Sequence, residues 1–288
     1  MRCRAQHGMV YTMTRIAVIG GGKIGEALIA GLIAGGEPPK GIAVTNPDPA
    51  RGQELAAAYG VVDFTDNSQA VDGVDYVFLC VKPKDTIAVL AEIADVVDEN
   101  EIDTTVISMA GGITLRALED AVPVGTPVIR VMPNTPMLVG QGVSAVAPGR
   151  FAGEEKLEQV RELLASVGTV VVVSESEMDA VTALSGSSPA YAFLVAEAMI
   201  DAGVSLGLNR TMARELTVGA LYGAAAMLKE TDREPSSLRA DVCSPGGTTI
   251  AAIRKLEECG LRKAFYDATE ACARRSKELG QDSPAEKN

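Results

Sequence analysis

Histidine is almost missing from this 288-residue chain; the single one, His7, precedes the first recognisable strand. A histidine general base, a Ser-His-Asp triad and a histidine-ligated metal centre are therefore excluded from the fold, and no metal site is expected. Tryptophan is absent and aromatics make up only 4% of the residues, so the core must be built from Val, Ile, Leu and Ala. The five cysteines (Cys3, Cys80, Cys243, Cys259, Cys272) are scattered and form no C-x-x-C pair, which reads as free thiols in a reducing cytoplasm. No apolar run reaches membrane-spanning length without a charge or a glycine, and no signal peptide is apparent. Basic residues are outnumbered: 26 Lys and Arg against 38 Asp and Glu give a net charge of −12. With no basic stripe to offset that charge, neither nucleic acid nor an anionic membrane is an expected partner. What remains is chemistry by a cofactor, hydroxyls, carboxylates or lysines, acting on a small molecule.

Hydrophobic residues reach 47%, ample for a buried core, and the length suits two domains or one large one. Residues 1–13 show no periodicity and read as a disordered extension, with Met9 and Met13 as alternative starts. Ile16 to Ile19 then reads as a short buried strand, followed at once by Gly20-Gly21-Gly22-Lys23-Ile24-Gly25 and an apolar helix. This is G-x-G-x-x-G between strand and helix, the context that dinucleotide binding requires. Gly20 makes the tight turn, Gly22 lets backbone approach a pyrophosphate, and Gly25 allows close helix packing. The cofactor candidates here are Ile19, Gly20, Gly21, Gly22, Lys23, Ile24 and Gly25. A second strand ends at Asn46, where an NAD-specific site places an acid. Asn46 has no charge to repel a 2′-phosphate and Arg51 follows one turn on, which leans to NADPH over NADH; Asp48 nearby argues the other way.

Strands and helices alternate from there. The apolar strand from Val74 to Cys80 suits a parallel sheet buried on both faces. It runs into Val81-Lys82-Pro83, with Pro83 opening the next helix. The strand Thr105 to Ser108 ends in Met109-Ala110-Gly111. Ligands bind at the carboxyl ends of such strands, so Val81, Lys82, Pro83, Met109, Ala110 and Gly111 are cofactor-edge candidates; Lys82 can equally be a solvated loop charge. Pro133-Asn134-Thr135-Pro136 after the strand Val128 to Met132 is a rigid turn. After Val173 the strands stop. The expected fold is α/β: an N-terminal Rossmann-type, doubly wound, mostly parallel sheet over 14–174, an all-α domain over 175–280, and a tail over 281–288. Asn209 is positioned to cap a long helix through Lys229, in which Gly219, Ala220, Gly223 and Ala224 form a small-residue face suited to a second subunit.

The last motif is Ser244-Pro245-Gly246-Gly247-Thr248-Thr249, leading into a helix with Ile250, Ile253 and Leu256 on one face. A helix N-terminus has free amides and a positive dipole end, and glycines let a ligand come close. The geometry suits a small anion such as an amino-acid carboxylate, or, in the plainer alternative, a threonine N-cap on an ordinary helix.

Ser-Pro-Gly-Gly-Thr-Thr after the Pro235 to Leu238 segment resembles the signature of the pyrroline-5-carboxylate reductase family, and the likeness runs from about Arg15 to about Leu279. The resemblance implies NAD(P)H-dependent reduction of 1-pyrroline-5-carboxylate to L-proline, the last step of proline biosynthesis. It puts Asn67 near the adenosine ribose and Lys82 and Met109 to Gly111 beside the cofactor. Arg130-Val131-Met132-Pro133-Asn134-Thr135-Pro136 falls near the nicotinamide. Ser244, Gly246, Gly247, Thr248 and Thr249 are the implied substrate site, with the Gly246, Gly247 and Thr248 amides on the carboxylate and the Thr249 hydroxyl facing the ring nitrogen as the catalytic group. It also implies a homodimer through the C-terminal helices and a higher ring such as a decamer. Ser188 stands where the family usually has glycine, and Asp241 where relatives often carry a neutral side chain. Two other readings compete. A 3-hydroxyacid dehydrogenase needs a lysine on the long helix after the sheet, and 178–208 contains none. A non-catalytic NAD(P)-binding regulator would not need the Ser244 to Thr249 loop.

Overall fold

The computed structural model describes residues 14–100 and 103–281; the expected N-terminal extension, with His7 and Cys3, and the tail beyond Gln281 lie outside the described residues. The N-terminal unit alternates strand and helix, as the switching hydrophobic period requires. Its elements are β1 (Ile16–Ile19), α1 (Lys23–Ala34), β2 (Ile42–Thr45), α2 (Pro49–Tyr59), β3 (Val62–Phe64), α3 (Asn67–Val71), β4 (Tyr76–Leu79) and α4 (Pro83–Glu99). They continue with β5 (Thr105–Ser108), α5 (Leu115–Glu119), β6 (Val128–Met132), β7 (Gly142–Pro148), α6 (Glu154–Ala165), β8 (Gly168–Val172) and α7 (Met178–Val181). The eight strands form one sheet in the order β3-β2-β1-β4-β5-β6-β7-β8. Every pairing is parallel except β6 with β7. This is the expected Rossmann-type sheet.

Both faces are covered. Ile16 and Val18 of β1 pack into one apolar layer with α1 and α6 residues such as Leu28, Leu32 and Leu164. Ala17 and Ile19 point into the other, with Leu90 and Ile93 of α4. Helix α4 buries Thr86, Leu90, Ile93 and Val97, a stripe at helical spacing, while its other faces carry acids. Strand order reverses between β1 and β4, so the crevice for a ligand opens at their carboxyl ends, where Gly20 and Cys80 lie.

The compact unit around the sheet runs on to Gly186 and resumes at Arg274. Residues 175–186, assigned with the helical part by the sequence division at 174, thus cluster with the sheet. The buried guanidinium of Arg130 supplies a reason: it draws in Glu175 as counter-charge, at 2.6 Å.

The second unit, Ser187 to Ala273, is helical: α8 (Ser188–Ser205), α9 (Arg210–Glu230), α10 (Pro235–Asp241), α11 (Thr248–Glu258) and most of α12 (Leu261–Gln281). α8 and α9 form a hairpin, close enough that a Cβ on Gly203 would stand 3.1 Å from the Ala213 Cβ. Asn209 caps α9, its side chain accepting from the Met212 amide at 2.9 Å. α8, α10 and α11 contain no buried residue, and Phe193, Leu194, Leu216 and Tyr222 are all more than half exposed. No helix among the described residues is long and apolar enough to cross a membrane.

Candidate active site

The glycine turn after β1 is fixed by contacts that admit no side chain. Gly20 has φ +105°, and a Cβ there would stand 2.8 Å from the Cys80 backbone; a positive φ of this size belongs to glycine. A Cβ on Gly25 would meet the Gly20 carbonyl oxygen at 2.0 Å, so the helix approaches the turn this closely only because residue 25 is glycine. On Gly21 it would meet Leu55 Cδ1 at 2.5 Å. Gly22 differs: nothing lies within 4 Å of its missing Cβ, and it caps α1 with no side chain bonded to the first-turn amides. The turn is thus packed on three sides and open at the residue whose backbone must face a phosphate.

A cavity of about 590 Å³ opens beside it, bordered by Ile19, Gly20, Gly22, Asn46, Asn67, Val81 and Lys82 among the residues singled out from the sequence. Its size suits a nucleotide cofactor. Two lysines, Lys82 and Lys84, stand at the start of α4 on its rim. Lys84 was not anticipated; the available signal was its place on the first turn of a helix that starts at a strand's carboxyl end. Thr45 was also missed. Its hydroxyl donates to Asn67 Oδ1 at 2.7 Å, and Asn67 Nδ2 donates to Glu92 at 3.0 Å, so the amide is held in one orientation at the cavity wall. Cys80 borders the cavity too. Burial pushes its thiol up to about 12, so it stays neutral and adds no charge against a phosphate.

The remaining cofactor candidates lie outside that lining. Pro83 is the first residue of α4, and Lys23 and Ile24 open α1. Met109 and Ala110 are buried, and a Cβ on Gly111 would lie 3.8 Å from Met132 Sδ. Asn134 is buried with its amide committed: Oδ1 accepts from the Val143 amide at 2.8 Å and Nδ2 donates to the Ser185 carbonyl at 3.0 Å. Its side chain therefore ties the β6 turn to β7 and to the segment after α7. Arg51, read as a 2′-phosphate candidate, borders no part of the cavity and is bonded to Gly21, Glu26 and Glu54.

A second cavity, about 340 Å³, lies at the amino edge of the sheet and is lined in part by Glu37, Tyr76, Gln159 and Glu162. Burial raises the Glu37 carboxyl and pushes the Tyr76 phenol up to about 12. Two carboxyl groups and no cation make this a poor phosphate site.

In the helical unit the Ser244 to Thr249 segment forms a tight turn running into α11. Gly246 has φ +70°. The Gly247 amide donates to the Ser244 carbonyl at 3.0 Å, and a Cβ on Gly247 would lie 2.3 Å from Ser244 Oγ. Ser244 and Gly247 therefore shape the turn, and the Gly247 N–H, expected to meet a carboxylate, closes it. Gly247 is the N-cap of α11 and no side chain caps the helix, so Thr248 and Thr249 occupy the first two helical positions and neither is a cap. Their amides are first-turn donors without an intrahelical acceptor. Asp241 is paired with Arg233 at 2.6 Å. The break before α8 is held from α12, where Cys272 Sγ lies 3.2 Å from Ser187 Oγ.

Two family models match. One, for the pyrroline-5-carboxylate reductase dimerisation domain, covers residues 175–279; the other, described as NADP oxidoreductase, coenzyme F420-dependent, covers 15–112. A pyrroline-5-carboxylate reductase of Corynebacterium melassecola is 60% identical over 93% of this chain and 100% of its own length. One from Mycobacterium tuberculosis is 43% identical over 94% of this chain and 98% of its own. A solved pyrroline-5-carboxylate reductase from Coxiella burnetii superposes with TM-score 0.88 at 36% identity, covering 93% of this chain and 99% of that one. The Plasmodium falciparum pyrroline carboxylate reductase, solved with NADP bound, gives 0.83 at 28% identity over 95% of this chain and 100% of that one.

Proposed function

The chain belongs to the pyrroline-5-carboxylate reductase family and reduces 1-pyrroline-5-carboxylate to proline with NAD(P)H, and we propose that the turn at Ser244 to Thr249 holds its substrate. The observation that carries this assignment is the free, uncapped N-terminus of α11. The amides of Thr248 and Thr249, with that of Gly246, hold the substrate carboxylate, and the Ser244–Gly247 bond holds the turn in shape. The Thr249 hydroxyl faces the ring nitrogen. A nicotinamide supplies the hydride that converts C=N to CH–NH. A cyclic imine is readily protonated near neutral pH, so the protein need not provide a strong acid, in keeping with the lack of histidine among the described residues.

In this assignment residues 14–174 serve the cofactor and 175–280 the substrate and the subunit contact. The cofactor occupies the cavity beside Gly22, with Asn46, Asn67 and Lys82 at its wall, and NADPH is taken ahead of NADH because Asn46 is uncharged. Gly21 and Gly25 support the turn by packing. Met109 to Gly111, Pro83 and Asn134 act as the frame of the nicotinamide edge. The chain forms a dimer. The contact face is the Gly219–Gly223 side of α9, the dimers assemble into a ring such as a decamer, and the enzyme works in the cytoplasm.

Thr249→Val keeps the side-chain shape and removes the hydroxyl. A hydrogen bond to a charged partner contributes about 1.5–3 kcal/mol, so kcat/KM should fall by roughly ten- to a hundredfold. A fall in kcat marks a bond that strengthens in the transition state; a rise in KM alone marks ground-state binding. Unchanged kcat and KM would remove the hydroxyl from the chemistry.

A further inference from the structure

Arg51 is the cation nearest in sequence to Asn46 and the obvious candidate to read a 2′-phosphate. All three of its nitrogens are already engaged, and the side chain is only 23% exposed. Nε donates to the Gly21 carbonyl at 2.8 Å, Nη2 meets Glu26 Oε2 at 2.5 Å, and Nη1 meets Glu54 Oε2 at 2.7 Å. Tyr59 holds the other Glu26 oxygen at 3.0 Å. One guanidinium between two carboxylates leaves a local surplus of negative charge, which repels a phosphate dianion. The Glu54 and Glu26 partners raise the Arg51 pKa further. Turning the Arg51 guanidinium away to a 2′-phosphate would break three charge-assisted bonds and leave Glu26 with Tyr59 alone.

The same contacts define a different task. Gly21 is gripped on both sides of its backbone: its N–H donates to Asn46 Oδ1 at 3.2 Å and its carbonyl accepts from Arg51. The Gly21–Gly22 peptide is planar and trans, so fixing the Gly21 carbonyl fixes the Gly22 N–H in the opposite direction. Gly22 has no side chain, no capping partner and the cavity beside it. With glycine on both sides, that peptide has more orientations open to it than any other residue pair would allow, and the clamp selects one.

We propose that Arg51, held by Glu26 and Glu54, is a positioning residue that aims the Gly22 amide at the cofactor pyrophosphate and takes no part in reading the 2′ position. This rests on the assignment of the cavity beside Gly22 as the cofactor site. NADH and NADPH share the pyrophosphate, so the clamp serves both equally.

Calorimetric titration of wild type, Arg51→Gln and Glu26→Gln with NADPH and with NADH tests it. Loss of one charge-assisted hydrogen bond predicts that Arg51→Gln weakens both cofactors by about tenfold or more. The NADPH/NADH ratio should stay within about twofold of wild type, with kcat at saturating cofactor and KM for the imine unchanged. Glu26→Gln should weaken both by a smaller, equal factor, since Arg51 then has one acid fewer to hold it. Loss of NADPH affinity alone in Arg51→Gln, or a gain of NADPH affinity in Glu26→Gln, would overturn the proposal. So would unchanged affinities in both variants. If Arg51→Gln does not fold, Glu26→Gln decides by the sign of its effect. Failure of the wild type to bind either cofactor would instead defeat the cavity assignment, a separate result.

Discussion

Cys80 and Tyr76 occupy β4 and the turn after it, and both are neutral groups kept neutral by burial. The thiol is raised from about 9 to about 12 and the phenol from about 10 to about 12, in each case first by loss of hydration. For acids raised in the folded state, the folded chain keeps its proton where the unfolded chain has lost it. Stability is therefore intact below pH ~9 and declines as pH rises from ~9 toward ~12. Urea titrations at stepped pH should show that fall, and Cys80→Ala should reduce its early part, between pH ~9 and ~10, before tyrosine titrates. An identical alkaline slope in the variant would mean that the thiol is hydrated in the folded chain. At this scale the sequence was informative where chemistry is local. Gly20, Gly22 and Gly25 were legible because strand, glycines and helix are contiguous. Arg51 was not, because its partners Gly21 and Glu26 lie 30 and 25 residues away and meet it only once β2 pairs with β1. The hydrogen bond from the Gly247 amide to the Ser244 carbonyl was not legible either, because it depends on the positive φ of Gly246.

Between elements, the Arg130–Glu175 pair fastens β6 to the segment after β8. Arg130 is on β6 with its side chain only 5% exposed, and Glu175 follows β8 with 34% exposed. Glu175 Oε1 also accepts the Leu115 amide at 3.0 Å, at the first turn of α5. One carboxylate oxygen thus joins β6, α5 and the segment after β8. Removing one partner of a buried pair costs about 3–5 kcal/mol; the partial exposure of Glu175 lets water in and lowers this to about 2–3 kcal/mol. Glu175→Ala should then lower Tm by roughly 5–10 °C. Glu175→Gln should lose less, since it can still accept the Leu115 amide. A Tm within a degree or so of wild type for the alanine variant would show that the pair holds nothing. Helix starts were readable from the sequence, with Pro83 opening α4 and Asn209 capping α9, because each signal lies within one turn. The packing of residues 175–186 with the sheet was not, since it answers to a charge buried on a strand far back in the chain.

In the whole molecule, the helical unit leaves apolar area uncovered that one chain does not bury. Phe193, Leu194, Leu216 and Tyr222 are exposed at 58–75%, and each such side chain is worth about 1.5–3 kcal/mol when buried. Gly219 and Gly223 have nothing within 4 Å of a would-be Cβ, as a close helix contact from a partner requires. Gly219→Leu combined with Gly223→Leu should yield smaller or insoluble species by light scattering. A wild-type chain that runs as a monomer, or a double variant with its assembly intact, would place the contact elsewhere.

In the proposed site the free end of α11 recognises a carboxylate on a cyclic imine that the cofactor then reduces. The most direct measurement of this is the initial rate of NADPH oxidation with 1-pyrroline-5-carboxylate against 1-pyrroline, which has the same imine and no carboxylate. Even the two bonds from the Thr248 and Thr249 amides, without that of Gly246, at about 1.5–3 kcal/mol each predict a kcat/KM at least about a hundredfold higher for the carboxylated ring. Equal rates with the two imines, or no oxidation with 1-pyrroline-5-carboxylate, would contradict it.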